Sequence, residues 1–180
     1  MFKRAVRDAV RSGAVTASSV AGLTDDTMMQ ALERGGTSHL AAAIRARKLY
    51  KRALDLPATE VPVSPAAWIA DDPEVTSHVE DALAREAGLA PGELLLDFPA
   101  RTDLLGVDLP LRLRDGGVER LTSEGRAGHV GLPRIADELY RSARRLRVFV
   151  ARPVQRDFSR VAELVGMEGE ELLKRGTLLD

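Results

Sequence analysis

Cysteine is absent from the 180 residues, which excludes disulfides, thiolate metal sites and cysteine nucleophiles. Aromatic residues are scarce, with one Trp, two Tyr and four Phe. That leaves little with which to stack the bases of a single-stranded nucleic acid. Nowhere does the chain approach the roughly 18 uninterrupted apolar residues of a membrane span. Basic residues open the chain (Lys3, Arg4, Arg7), but Asp8, Arg11 and Gly13 break up the apolar residues after them. Neither a signal peptide nor an anchor is expected. The three histidines, His39, His78 and His129, stand far apart, and none is followed by aspartate or placed in an HExxH or HxH arrangement. A metal needs converging ligands, so no metal site and no catalytic residue is assigned. A nucleophile elbow and a GxxxxGK phosphate loop are also missing. Freedom from disulfides fits a cytoplasmic protein.

What the chain does have is uneven charge. The net value of −1 argues neither for nor against a nucleic-acid partner. Residues 1–55 hold ten Lys/Arg against five Asp/Glu, and residues 56–99 set Arg85 alone against nine acids. Residues 100–160 return to thirteen arginines against eight acids. Such blocks suit lobes with different surfaces that meet each other or a second copy, although ordinary solvated faces explain them too.

The apolar pattern divides the chain in the same way. Phe2, Ala5, Val6, Ala9 and Val10 repeat at helical spacing, with Gly13 as a stop and no N-cap before them. Thr24 offers an N-cap ahead of Asp25 and Asp26, and Met28, Met29 and Leu32 give that helix its apolar side until Gly35-Gly36. A longer helix is expected from about Ser38 to Leu54, stopped by Pro57. The prolines 57, 62, 65 and 73 then mark a stiff connector. Trp68 within it more often packs onto a neighbour than serves as a ligand platform.

Beyond the connector the elements are mixed. A helix is expected over 74–87, ended by Gly88, and a strand at Leu94-Leu95-Leu96. Leu109, Leu111 and Leu113 alternate with polar or proline residues. Asp115-Gly116-Gly117 provides hairpin chemistry before Val118 to Leu121. Pro133 opens a helix carrying Ile135, Leu139, Ala143 and Leu146. Val148-Phe149-Val150 forms a strand, and two short helices follow, around Phe158–Val165 and Glu170–Lys174. The expected fold is α+β: N-terminal all-α helices, then a small mixed lobe with a short antiparallel sheet and flanking helices. The expected divisions are 1–55, a connector at 56–73, and 74–180.

Four features are candidates for chemistry. Gly125, Gly128 and Gly131 precede the Pro133 helix beside Arg126, His129 and Arg134, a place where an anion fits, although an ordinary loop explains it better. His78 and Asp81 are a weak i, i+3 pair. Arg141, Arg144, Arg145 and Arg147 suit the C-terminal end of the Pro133 helix, where Asp137 also stands four residues before Arg141. On the expected 38–54 helix, Arg47 and Lys51 share a face, a spacing able to grip a di- or triphosphate. Arg45, Lys48 and Arg52 form a second basic stripe, and on charge alone a solvated face is the simpler account.

These residues carry a resemblance. Leu23-Thr24-Asp25-Asp26, a short helix, a Gly/Thr break and Arg47-Lys48-Leu49-Tyr50-Lys51 resemble the region that follows the catalytic domain in HD-domain deoxynucleotide triphosphohydrolases. The nucleotide-activated SAM-and-HD-domain enzymes are among those relatives, and their matching helix reads Arg-x-Leu-Phe-Lys. Leu94 to Asp97, Leu121-Thr122 and Leu132 to Tyr140 are similar to the α+β lobe of bacterial members. Met1 to Asp8 resembles a helix just downstream of their HD core.

The resemblance implies a cytoplasmic regulatory and oligomerisation portion of a bacterial metal-dependent phosphohydrolase. Members cut phosphate esters, often dNTPs, with a metal held by two histidines and two aspartates. No adjacent His-Asp pair occurs in this sequence, which starts after the place where that core would end. The chain by itself is therefore expected to be inactive, with the divalent metal in the HD core. The family's allosteric dNTP site between subunits implies Arg47, Leu49 and Lys51 as nucleotide-binding residues. The implied partners are further copies of the chain or an HD catalytic domain, with a dNTP at a subunit interface. The first helices would then carry an association surface that includes Phe2, Val6 and Val10. The alternative is a nucleotide- or nucleic-acid-binding module built on the basic segment 45–52. Its binding should weaken steeply with salt, and the few aromatics count against nucleic acid.

Overall fold

The computed structural model describes residues 1–34, 38–61, 68–99, 109–121, 138 and 144–179. Four helices come first: α1 (Phe2–Arg11), α2 (Ala17–Val20), α3 (Asp25–Arg34) and α4 (Ser38–Arg45). Helix α1 ends at Gly13, whose φ of 75° is costly for a residue with a Cβ. Helix α2 is short and was not anticipated. Thr16 and Ser19 close a reciprocal capping box around its start. Thr24 behaves as expected ahead of α3: its Oγ1 accepts from the Thr27 N–H, and its own N–H donates 2.8 Å to Thr27 Oγ1. Ala5, Ala9, Met28, Leu32 and Leu40 bury one another as the core of this helical cluster.

The expected 38–54 helix stops nine residues early, at Arg45. The Lys48 N–H donates to Ala43 O at 2.8 Å and the Arg47 N–H to Ile44 O at 3.0 Å. That pair of bonds is a Schellman ending, with Arg47 at φ 54° in the left-handed position glycine usually holds. No glycine or proline stands there to signal the stop. The chain then enters strand β1 (Lys51–Pro57), which runs past position 55. Arg47 and Lys51 consequently do not share a helix face.

A 3-10 turn (Ala58–Glu60) follows, then α5 (Trp68–Asp71) and the long α6 (Pro73–Glu86). Asp72 caps α6, accepting from the Glu74 and Val75 N–H groups at 3.0 Å each, with Pro73 at the first position. Gly88, at φ 68°, lets the chain turn out of it. Strand β2 (Leu94–Asp97), strands β3 (Leu109–Arg112) and β4 (Val118–Leu121), and strand β5 (Arg145–Val150) come next. Helices α7 (Val161–Val165) and α8 (Gly169–Lys174) close the lobe.

Two antiparallel sheets result, one ordered β1-β5-β2 and the other the β3-β4 hairpin. The hairpin turns at Gly116, with φ 88°, where Asp-Gly-Gly indicated. In β5 the side chains alternate: Leu146, Val148 and Val150 are buried while Arg145, Arg147 and Phe149 are only partly so. The buried set joins Val79, Leu83, Leu94, Phe158 and Leu172 in the larger core, with α6 beneath the sheet. Trp68 also enters this core, 4% exposed, as its ring size favours. The fold is α+β with helices at the N-terminus.

Arg145 and Arg147 are strand residues, so the arginine cluster does not sit at a helix end as the sequence suggested. Apart from helical Glu138, the Pro133 helix up to residue 143 lies outside the described residues. So does the glycine-rich turn of Gly125, Gly128 and Gly131.

Candidate functional site

The segment singled out by sequence leads from α4 into β1. Tyr50 anchors it: its N–H approaches Met1 Sδ at 3.4 Å and its hydroxyl donates to Gly92 O at 3.1 Å. Burial, aided by Glu93, pushes the Tyr50 phenol up to about 12. Around this anchor Arg47, Leu49 and Lys51 are exposed, Leu49 by 55%. An apolar side chain thus stands between two cations on the surface, next to a backbone held in a costly conformation.

Arg52 turns away from them to Asp55. Asp55 also accepts from Arg145 Nε, and Arg147 Nε lies 3.6 Å from it. Arg147 reaches on to Asp97 at 3.2 Å. Hydrogen bonding from Arg145, then the charges of Arg145, Arg52 and Arg147, hold the Asp55 carboxyl below the usual carboxylate range. The Arg144 guanidinium lies over the Phe98 ring, 3.4 Å from its centroid. Arg145 and Arg147 are therefore committed to ion pairs across the sheet, and Arg52 to one within β1.

A second constellation escaped the sequence reading. Arg4 of α1 is 4% exposed and uses its whole guanidinium fork. Nε donates to Asp8 at 2.8 Å, Nη1 to Glu80 at 2.7 Å, and Nη2 to both Asp81 oxygens at 2.9 and 3.0 Å. Glu80 completes its own pairing by accepting the Leu96 N–H at 2.9 Å. Gly92 donates to Asp81 at 3.0 Å, and Arg7 donates to Ser77 Oγ at 3.1 Å. Burial tends to pull Arg4 down, but hydrogen bonds to Asp8 and Glu80 outweigh it and keep the guanidinium charged. Burial raises the Glu80 carboxyl, opposed by the Leu96 N–H and Arg4. One signal in the sequence marks Glu80: it lies three residues before buried Leu83 and four before buried Ala84, on the inward face of α6.

His78 lines a trough beside α6 with Asp81, while His39 lies against Gly92. Among the described residues no group of three or more His, Cys, Asp or Glu could hold a metal. Nor is any helix among them long and apolar enough to cross a membrane.

The described residues form an α+β scaffold with a helical front, a buried salt link and exposed cations between α4 and β1. Residues 1–165 match the family described as the HD associated region, and the chain belongs to that family. No curated protein and no solved structure matches it.

Proposed function

We propose that this chain is the regulatory and oligomerisation portion of a cytoplasmic HD-superfamily nucleotide phosphohydrolase of the dNTP triphosphohydrolase kind. The observation that carries the reading is the family match over residues 1–165. None of the three histidines is followed by aspartate, so the divalent metal of the HD chemistry belongs to the catalytic unit. In this division the helical subdomain, residues 1–55, meets other chains, the connector 56–73 follows it, and the lobe 74–180 supports it.

Arg47, Leu49 and Lys51 are the residues proposed to meet a dNTP at a subunit interface. Their exposure supports this, with Leu49 55% exposed between the two surface cations in the chain. Arg47 would bind phosphate with paired donors and Lys51 as a point charge, while Leu49 meets the base or sugar.

The reading is tested by purifying the protein from its source cells with its natural partners and assaying divalent-metal-dependent dNTP hydrolysis. Co-purifying activity that loses its response to added dNTP in Arg47→Glu and Lys51→Glu supports it. Material free of dNTP hydrolysis contradicts it.

A further inference from the structure

Residues along α1 advance by about 100° each. Ala5 and Ala9 therefore turn into the helical cluster with Val6 packed against it, and Phe2 and Val10 stand outward beside Lys3 and Arg7. Phe2 is 48% exposed and Val10 41%. Val10 forms one wall of a groove of about 590 Å³, with Lys3 and Arg7 beside it and Pro73 and Ser77 of α6 opposite. A second trough continues from Arg11 and Glu74 along α6 to Leu173, which is 45% exposed. The buried Arg4 network ties the two walls together, so the groove is shaped before anything enters it.

Charge narrows the occupant. Lys3, Arg7 and Arg11 line the groove against Glu74 alone. Arg7 is tied to Ser77 and Arg11 to Asp8, whereas Lys3 has no ion pair among the described residues. A two-fold contact of α1 with another α1 would set these cations against their own copies. An apolar floor of Val10 and Pro73 does not suit a nucleic-acid backbone. The complement is a helix with an apolar stripe and acids on its flank.

We propose that the α1–α6 groove is the docking site for an amphipathic, acid-flanked helix of the HD catalytic unit, seated on Val10 and Pro73 with its carboxylates toward Lys3. This rests on the functional reading above and adds the surface and the chemistry of the contact. Docking there would place the catalytic unit against the helix that Arg4 joins to β2, linking core and accessory lobe through one rigid joint.

The test is photo-crosslinking of the full protein in its source cells, with p-benzoylphenylalanine replacing Val10 or, as a control, Val118 on the exposed hairpin. Crosslinked peptides are identified by mass spectrometry. The proposal expects the Val10 probe to capture an HD-domain peptide with apolar residues three or four apart and neighbouring acids. Lys3→Glu should lower the yield about tenfold, the effect of a lost complementary charge of ~1.4 kcal/mol. Capture of the chain's own peptides or of nucleic acid at Val10 overturns the proposal. An HD peptide caught only at Val118 also overturns it, while leaving the functional reading intact. Absence of HD peptides from both probes and from the co-purified material defeats both.

Discussion

Arg4 and Glu80, 76 positions apart in the chain, meet at 2.7 Å with almost no exposure to solvent. Through Glu80 the first helix is joined to α6 and, by the Leu96 N–H, to the central sheet. A buried charge is tolerated only when fully paired, and here each partner has a second or third bond that fixes its direction. The helical cluster and the mixed lobe therefore meet through directional bonds as well as apolar contact.

Removing one partner should be far worse than removing both. Arg4→Met leaves Glu80 buried with an unbalanced charge and is expected to cost about 3–5 kcal/mol. Arg4→Met with Glu80→Met should cost markedly less than the sum of the single changes. Urea unfolding of the four proteins of that cycle measures the coupling, and additivity would refute the pairing.

Arg47 occupies a backbone position that suits glycine. Arg47→Gly should raise stability by about 1 kcal/mol, the ordinary cost of a side chain in the left-handed region. The same change should abolish any dNTP response that depends on the guanidinium. Denaturation midpoints and nucleotide titration of the variant separate the two effects.

Tyr50 makes the fold sensitive to alkali. Its phenol is raised from 10.0 to about 12 in the folded protein, so the native state keeps a proton the unfolded chain releases. The stabilisation is complete below pH 10 and is lost as pH rises through 12. Tyr50→Phe should remove that alkaline loss and forfeit roughly 1 kcal/mol from the bond to Gly92. Thermal melts across this range, beside ultraviolet titration of tyrosinate, provide the check.

Asp55 acts at the other end of the scale. Its folded carboxyl is held below its ordinary value, chiefly by Arg145, so its contribution is present above the unfolded aspartate range. It disappears as pH falls through the folded value. Asp55→Asn should flatten the acid limb of the stability curve and move Arg52 and Arg145 in NMR spectra. An unchanged acid limb would contradict the assignment.

Elements closed by local chemistry were legible in the sequence. Gly88 and Asp115-Gly116-Gly117 announce turns by conformations that disfavour other residues, and both fall where expected. Alternation in the Val148 segment marks a strand, although it begins at Arg145 and takes in residues assigned to the preceding helix. The end of α4 was hidden because Arg47 fills the glycine position, which leaves the apolar period running on through Leu49 and Tyr50. Helix α2 was hidden because four residues are too few to display a period. Arg47, Leu49 and Lys51, the proposed nucleotide-binding residues, stand together in the sequence as a basic and apolar group, but α4 ends at Arg45 and they do not share a helix face. The Arg4–Glu80 link was not legible, since a contact 76 residues apart has no spacing rule.

Native mass spectrometry of the protein captured from its source cells tests the central claim most directly. The account predicts a species well above the 19.5 kDa of this chain, whose peptides include an HD catalytic domain, joined covalently or held as a subunit. A single 19.5 kDa species without any HD domain would contradict it.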